Sequence, residues 1–438
     1  MFKKFSLVLF GLGVITSSAN ATDLMDVYQQ VLAADPRVRL AAINIQIGAD
    51  RESQVMADLL PQLSVSSSIS TVRQDFEGKT SGSDRKSFKG ERYSAVLSQS
   101  LFDLPKFYNW QRQQKMTDQF SHDQLEIQQQ IMLDVVLRYF EVLSAQDNLT
   151  VAENEKVVTQ GILKQLKRQY EKQLVKITDL MAAQARSDFA NAQVIEAQTT
   201  LIIAKEQLTE LTGSPVKTLK PLWKGFEFQP VEGDVKKWLA LLTANNPKLL
   251  SKNDAIAAEK LGIKQQRSGH LPVVDFQLMV QRTDMGFNSS TIGLTNITSA
   301  SVNVNMPLFS GGKTSALHSE AIHKLEASKL EYETEFRKLR RELIGYLTGI
   351  NASVEKIKAA KTALNSANKN YKSMDKGFKY GVVDASDLFE AQSFVSKANR
   401  DLFDSKYQYI SNKTNLMYIG GMITHQELEL INLWLEQK

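Results

Sequence analysis

The chain has 438 residues, no cysteine and a formal net charge of +5, from 53 lysines and arginines against 48 acidic residues. The lack of cysteine excludes disulfides and thiolate chemistry. Such a near-balance of charge argues against a nucleic-acid partner, which would require a clustered basic surface.

The first 21 residues have the pattern of a secretory signal peptide. A basic start, Lys3-Lys4, is followed by an apolar run at residues 5–15 and by the small-x-small sequence Ala19-Asn20-Ala21. We therefore predict a signal peptide at residues 1–21 and a mature chain that begins at Thr22. No later apolar run has the roughly 18 residues of a spanning helix, so a mature chain that crosses a membrane must do so as a closed barrel.

Short motifs recur in the same order in both halves of the chain, roughly 208 residues apart. Ordered echoes of this kind indicate a tandem duplication. We predict a first structural repeat at residues 22–232 and a second at residues 233–438. The matching pairs are Asp35-Pro36 and Asn246-Pro247, Leu60-Pro61 and Leu271-Pro272, Leu101-Phe102 and Leu308-Phe309, and the segments 172–180 and 380–388.

Each repeat is predicted to begin with a helix and a β-hairpin. The first helix spans Asp23 to about Asp58, and we expect a break at Asp35-Pro36 because proline lacks the amide hydrogen and disfavours a helical residue before it. Apolar and polar residues then alternate, as in strands, on both sides of a polar loop at residues 75–90. The pattern predicts one hairpin at about 61–102 and another, around a loop at 284–298, at about 272–309.

Two unusually long helices follow the hairpins. Residues 105–173 contain no proline after the first position, and residues 313–379 are their counterpart in the second repeat. The first helix would run for roughly 105 Å at 1.5 Å per residue. Return helices are predicted to start at Asp179 and Asp387, with Thr178 or Asp179, and Ser386 or Asp387, as N-caps.

Four strands per chain are too few to close a membrane barrel, since even small barrels have about eight, and open edges are not tolerated in lipid. Two chains would supply about 8 strands around a filled interior, and three about 12 strands around a lumen. The narrow apolar stripes of the long helices favour a thin wall over a solid core. The predicted fold class is α + transmembrane β, with a trimeric barrel of about 12 strands continued by a tube of long α-helices.

Further motifs complete the ordered set in both halves. They are Leu60-Pro61-Gln62-Leu63 and Leu271-Pro272-Val273-Val274, residues 99–103 and 307–312, Ile177-Thr178-Asp179-Leu180, and residues 421–428. With these motifs the whole mature chain resembles the TolC-like outer-membrane efflux and type I secretion channel family. The resemblance implies a homotrimer, with its barrel in the outer membrane of a Gram-negative cell and its α-helical barrel in the periplasm.

The resemblance also implies a function. Such a channel would be the exit duct for type I protein secretion or multidrug efflux, opened by a periplasmic adaptor and an inner-membrane transporter of the ABC or resistance-nodulation-division type. Outer-membrane lipid is a further expected partner, whereas nucleic acid, cofactors and enzymatic activity are not expected. The sequence does not distinguish a secreted protein from small drugs as cargo.

In this family, rings of carboxylates constrict the pore at the turns between the long and the return helices. The matching residues here are Asp387 and Glu390 in the second repeat and Thr178 and Asp179 in the first. Asp387 and Glu390 are three residues apart and share a helix face, so three copies would form two stacked acidic rings that favour cations. Simple N-capping is the alternative role for Asp179 and Asp387, and solvation is the alternative for Glu390.

The sequence departs from the family at the latch that holds the turns closed. The best-known members carry an arginine and a tyrosine where this chain has Val383 and Phe378. We therefore expect an apolar or looser latch. Gln173 stands where a turn glycine is common, whereas Gly381 is retained.

Apolar residues lie on the predicted tip beside that latch. Leu174, Val175, Gly381 and Val382 are the residues that we expect to contact the adaptor. Burial between the helices is the alternative for the apolar side chains, Val383 included.

Other classes of function have less support. A periplasmic adaptor would also be secreted and rich in coiled coil, but it would need one helical hairpin and no lipid-facing strands. A porin would need many strands and no long helices. Gly312-Lys313-Thr314 lacks the glycine of a phosphate-binding loop at Pro307, and His318 and His323 lie on different helix faces, so neither a nucleotide site nor a metal site is expected.

Overall fold

The computed structural model describes residues 21–76, 84–284 and 294–436. The predicted signal peptide lies outside the described residues, apart from Ala21. In chain order, the elements are α1 (Leu24–Ala34), α2 (Pro36–Ala57), β1 (Gln62–Phe76), β2 (Asp84–Phe102), α3 (Leu104–Glu171), α4 (Ile177–Thr212), α5 (Val235–Asn245), α6 (Pro247–Ser268), β3 (Val273–Asp284), β4 (Thr295–Asn305), α7 (Lys313–Lys379), α8 (Ala385–Ile419) and α9 (His425–Asn432).

The described residues form two compact units, and each unit takes segments from both halves of the chain. Unit 1 contains the chain up to Pro36, Gln129–Trp238 and the chain from Leu343. Unit 2 contains Arg37–Gln128 and Leu239–Glu342. The repeat boundary between residues 232 and 233 stays a prediction.

The four strands of unit 2 form one antiparallel sheet in the order β1-β2-β3-β4. The two predicted hairpins are confirmed, and they join through β2 and β3, where Leu97 is paired with Leu278. The outer strands β1 and β4 are each paired on one side only, and they expose apolar side chains. These exposed residues are Leu63, Val65 and Ile69 on β1 and Val302 and Val304 on β4.

Strand conformation extends into both predicted loops. β1 continues to Phe76 and β2 begins at Asp84, so most of the loop predicted at residues 75–90 is strand. Polar residues adopt strand conformation here because each has a partner across the ladder, such as Ser70 opposite Gly90. Similarly, β4 begins at Thr295, inside the second predicted loop, and it ends at Asn305. Residues 77–83 and 285–293 of the predicted loops lie outside the described residues.

The predicted helix breaks and the predicted lengths of the two long helices are confirmed. α1 gives way to α2 at Pro36, and α5 gives way to α6 at Pro247, as the prolines predicted. Asn246 caps α6, because its side-chain oxygen accepts the amide of Leu249 at 3.1 Å. The two long helices are confirmed, with 68 residues in α3 and 67 in α7. Within the described part of the chain, no helix is both long and apolar enough to cross a membrane.

The long helices of unit 1 lie side by side in the order α4, α3, α8, α7. The Arg138 guanidinium on α3 donates to the Gln207 side chain on α4 at 2.8 Å. On its other side, α3 meets α8 through an ion pair between Glu155 and Arg400 at 3.3 Å. α8 in turn meets α7, because a Cβ on Gly349 would lie 2.6 Å from the Asn412 side chain. Away from the turns α4 and α7 are therefore the outer helices of this layer, whereas near the turns α4 also contacts α8.

A half-buried acidic group also joins α3 to α8. The Tyr407 hydroxyl donates to Asp147 Oδ2 at 2.5 Å. Burial raises the pKa of Asp147, against smaller opposing effects of the Tyr407 hydrogen bond and the Lys406 charge. Burial and the charge of Asp147 together raise the pKa of Tyr407. The folded protein thus disfavours ionised Asp147.

Replacing Asp147 with asparagine is expected to stabilise the folded protein near neutral pH. An acid with a raised folded-state pKa stabilises the fold fully below its unfolded pKa and loses that contribution as the pH rises through the folded pKa. Asparagine mimics the protonated acid, so thermal unfolding at about pH 7.5 should show a gain in stability that vanishes at about pH 3. Because Asp147 is only half-buried, we expect this gain to be at most about 1 kcal/mol. Asp404→Asn, at an exposed site on α8, is the control. An equal gain at both pH values would contradict this interpretation.

Candidate gate at the paired helix turns

Two tight turns connect the long helices of unit 1 to the return helices. Turn 1 (Lys172–Lys176) links α3 to α4, and turn 2 (Tyr380–Asp384) links α7 to α8. In turn 1, the Leu174 amide donates to the Gln169 carbonyl at 2.9 Å and the Gln173 amide to the Tyr170 carbonyl at 2.8 Å. Turn 2 repeats the same pair of bonds, from Val382 to Gly377 at 3.0 Å and from Gly381 to Phe378 at 3.2 Å. Both long helices therefore end in a Schellman motif.

The two turns differ in backbone strain. The Schellman motif requires a left-handed residue, which is Gly381 in turn 2, with φ 76°, and Gln173 in turn 1, with φ 58°. The left-handed region costs a residue with a Cβ about 1–2 kcal/mol, whereas glycine adopts it freely. Gln173, where the sequence analysis noted a missing glycine, thus holds turn 1 in a strained conformation.

The predicted N-caps of the return helices are wrong. α4 begins at Ile177 after the N-cap Lys176, whose side chain makes no capping hydrogen bond. α8 begins at Ala385, and its N-cap is Asp384, whose Oδ1 accepts the amide of Asp387 at 2.9 Å. Each Schellman motif reverses the chain in so few residues that the next helix starts two residues earlier than predicted. Thr178, Asp179, Ser386 and Asp387 are accordingly first-turn residues.

The two turns share one apolar core, which we call the tip cluster. All four neighbouring helices contribute to it, and Phe378 is buried in it with only 6% of its surface exposed. Val175, Leu180 and Val383 are partly buried against this core. Gly377 allows Val383 to approach, because a Cβ there would lie 2.5 Å from Val383 Cγ2. The buried members are Ile162, Leu163, Leu166, Ala183, Phe378, Ala385, Leu388 and Phe389.

The apolar residues of the turns divide into exposed and packed sets. Leu174 is 71% exposed and Val382 79% exposed at the centres of the two turns. Gly381 is exposed beside Val382. Val175 and Val383 instead pack against the tip cluster. Burial, the alternative that the sequence left open, therefore describes Val175 and Val383, because each follows its turn closely enough to point back toward the core.

The four residues predicted to constrict the pore are all exposed. Asp387 and Glu390 lie on successive turns of α8, and Thr178 and Asp179 lie in the first turn of α4. The Thr178 hydroxyl is 3.4 Å from Asp179 Oδ1, at the long end of hydrogen-bond distances. Asp179 and Asp387 occupy the positive ends of their helix dipoles, where a carboxylate is favoured.

A groove of about 720 Å³ runs between the first turns of α4 and α8. Asp179 lines it together with Arg186 from α4, Lys176 from turn 1 and Asp384 from turn 2. Lys176, Arg186 and Asp384 were not among the site residues predicted from the sequence. A signal for Asp384 was present, since it is an N-cap residue type directly before a helical pattern.

The model of the outer membrane efflux protein family matches residues 27–214 and 238–421. The chain belongs to the outer membrane efflux protein family. This membership confirms the suspected family and the predicted outer-membrane localisation.

Curated relatives of this family match along nearly their whole length. The alkaline protease secretion protein AprF of Pseudomonas aeruginosa is 27% identical, over 97% of this chain and 90% of its own. Outer membrane protein TolC of Escherichia coli is 26% identical, over 98% of this chain and 89% of its own. The proteases secretion protein PrtF of Dickeya chrysanthemi is 24% identical, over 100% and 96%.

Solved structures of family channels share the fold. CusC is similar with a TM-score of 0.79 at 17% identity, covering 92% of both chains. The Campylobacter jejuni CmeC outer membrane channel gives 0.78 at 14% identity, covering 100% of this chain and 98% of its own. These similarities confirm the predicted fold class, in which each chain supplies four strands and long helices.

In the described part of the chain, no group of three or more acidic or histidine side chains could hold a metal ion.

Proposed function

We propose that the chain is the exit duct of a tripartite export system for type I protein secretion or multidrug efflux. The duct acts as a homotrimer in outer-membrane lipid and meets a periplasmic adaptor and an inner-membrane transporter of the ABC or resistance-nodulation-division type. The observation that carries this proposal is the family match in both halves of the chain. The relatives AprF and PrtF are named for protease secretion, which supports export as the function.

The sheet supports assembly from several copies. β1 and β4 are the edges of a four-stranded sheet and expose apolar side chains. An open edge leaves backbone amides and carbonyls without partners, which lipid does not tolerate. Edge strands of further copies would satisfy these groups. Three copies supply about 12 strands, enough to surround a lumen.

The tip cluster is the proposed latch of the closed duct. Phe378 and Val383 occupy the positions of the family's polar latch, and both pack into the core that joins turn 1 to turn 2. Opening a latch of this type exposes apolar surface to water, so the stability of its closed state should depend little on salt.

Transport needs no chemical step by the duct itself, and we propose neither an enzymatic activity nor a cofactor.

The exposed residues of the turns are the proposed adaptor contact. Leu174, Gly381 and Val382 project beyond the tip cluster, where an apolar end of a partner could bury them. Val175 is partly buried, so its contribution is to hold turn 1 in place rather than to offer free surface. The acidic residues Asp387 and Glu390 are the proposed constriction, with Thr178 and Asp179 beside them.

Single-channel recordings in planar bilayers test this proposal. We expect the purified wild-type protein to show a small, cation-selective conductance, because stacked acidic rings concentrate cations. Asp387→Ala and Glu390→Ala should each raise the conductance or reduce the cation preference, and the double variant should do so most strongly. Asp401→Ala, at an exposed acidic site on the same helix, is the matched control.

The recordings also separate the alternatives. A large wild-type conductance that is indifferent to both substitutions would mean that the acidic residues do not constrict the pore. If well-folded protein forms no channel at all, the exit-duct proposal fails and the periplasmic adaptor becomes the leading function.

A further inference from the structure

Unit 1 contains a cavity of about 830 Å³ between α3, α4 and α8. Phe140 and Ala145 of α3, Ala204 of α4 and Ile410 of α8 line it, and all four residues are buried. A volume of this size and an apolar interior are typical of sites that hold drug-sized molecules. We call it the α3 cavity, and all of its lining residues belong to unit 1.

The α3 cavity lies on the side of the helix layer that the irregular segment between α4 and α5 leaves uncovered. That segment packs against the other side, because Tyr139 of α3 donates to the Lys220 carbonyl at 2.9 Å and Tyr409 of α8 donates to the Gln229 carbonyl at 2.8 Å. On a helical wheel, Tyr139 lies on the face of α3 opposite the residues that line the cavity. A ligand can therefore reach the cavity without displacing this segment.

Two aromatic side chains line the cavity next to each other. The ring centroids of Phe140 and Tyr407 are 6.4 Å apart, and the rings are inclined by 47°. The Tyr407 ring is held in place because its hydroxyl donates to Asp147 at 2.5 Å. Aromatic rings attract organic cations through their quadrupole, in addition to burying apolar surface. The pair therefore favours a ligand that is both apolar and positively charged.

The charge of the lining also favours a cation. Three carboxylates line the cavity, those of Asp134, Glu141 and Asp404, whereas the Arg138 guanidinium is the single cationic group in the lining. Arg138 already forms an ion pair with Glu141 at 2.8 Å and donates to Gln207 of α4 at 2.8 Å. The lining thus has an excess of two negative charges, which concentrates cations and repels anions.

A buried acceptor in the lining also lacks a partner. Asn148 lines the cavity, and within the described part of the chain its side-chain oxygen is buried without a hydrogen-bond partner. Leaving a buried acceptor unsatisfied is unfavourable, so such groups normally bind a donor. A ligand with an N–H group would supply this donor.

We propose that the α3 cavity binds a small aromatic cation that carries N–H donors. Phe140 and Tyr407 contact its aromatic body, the carboxylates balance its charge, and Asn148 accepts a hydrogen bond from its nitrogen. This binding goes beyond the proposed function, because a passive duct requires no binding site in its wall. Since the ligand contacts α3, α4 and α8 together, it should also raise the unfolding temperature as its concentration increases.

Fluorescence titration with ethidium, an aromatic cation with amino groups, tests the site on the purified mature protein in uncharged detergent. We expect saturable binding with one site per chain. Asp134→Asn combined with Glu141→Gln removes two of the three carboxylates and should weaken binding roughly tenfold. Glu153→Gln combined with Glu171→Gln is the matched control, because both acids are exposed on α3 outside the cavity. The affinity of this control should match that of the wild type.

A second variant tests the volume of the cavity without changing its charge. Ser144→Phe adds a large side chain to the lining and should also weaken ethidium binding roughly tenfold. Thr150→Phe, at an exposed site on α3 outside the cavity, is its control and should bind as the wild type does. The anionic dye fluorescein should bind much more weakly than ethidium to the wild type.

Three results would overturn the proposal. They are no saturable binding of ethidium to folded wild type, equal affinity in the wild type and both cavity variants, and equal binding of ethidium and fluorescein. None of them bears on the exit-duct function, because the conductance in planar bilayers is recorded without either dye. Loss of conductance with intact ethidium binding would instead contradict the duct and leave the site in place.

Discussion

Phe378→Ala is expected to loosen the paired turns and to open the duct. Phe378 is buried in the tip cluster among residues from all four surrounding helices. Replacing a buried phenylalanine with alanine costs about 3–5 kcal/mol, from lost apolar burial and from the cavity that remains. Because the tip cluster is the only core shared by both turns in the described residues, we expect the loss to appear there rather than as global unfolding.

Two measurements distinguish a latch role of Phe378 from a role in supporting the fold alone. In Phe378→Ala, hydrogen exchange should be faster at the amides of turn 2 and early α8. The conductance of this variant in bilayers should be several-fold higher than that of the wild type. Phe394→Ala is the matched control, since Phe394 lies on α8, the helix that follows turn 2, and is 52% exposed. Faster exchange with unchanged conductance would show that Phe378 only supports the fold, and the apolar latch would have to be abandoned.

Gly377→Ala and Gly161→Ala should have opposite effects on the tip, although both replace a glycine within a long helix. A Cβ on Gly377 would lie 2.5 Å from Val383 Cγ2 and 3.2 Å from Val383 Cβ. Val383 packs on the tip cluster, so turn 2 must move, at a cost of about 1–3 kcal/mol. A Cβ on Gly161 meets no atom within 4 Å, and alanine there should gain about 1 kcal/mol of helix propensity.

Limited trypsin digestion reports this difference. Lys379 is exposed beside turn 2, and cleavage there tracks the population of the opened turn. Gly377→Ala should be cut faster than wild type, whereas Gly161→Ala should be cut at the wild-type rate or more slowly. The same rate for both variants would mean that Val383 does not hold turn 2 against α7.

Several features could be predicted from the sequence because their causes are local. Proline removes a hydrogen-bond donor wherever it stands, so the breaks at Pro36 and Pro247 follow from two residues each. The alternation of side chains in strands and the lack of proline in α3 and α7 are likewise visible in the chain itself. Even the strained Gln173 was marked by the absence of the glycine that its turn favours.

Other features could not be predicted, because distant residues decide them. Polar residues near the predicted first hairpin loop adopt strand conformation because they pair with residues of the opposite strand, and no local pattern reveals this pairing. The return helices start early because the Schellman motifs shorten both turns. Val175 and Leu174 are adjacent and both apolar, yet only Val175 packs on a core built from four helices.

By itself, the sequence determined the order and type of the elements, the resemblance between the two halves, and the family. These depend on backbone chemistry and on periodicities that operate within one or two helical turns. Only the tertiary structure decided which residues of the two turns meet. The tip cluster and the groove with Lys176, Asp179, Arg186 and Asp384 each combine segments about 200 residues apart. Contacts of this kind are set by how helices pack, and helix packing depends on faces that the linear sequence does not align.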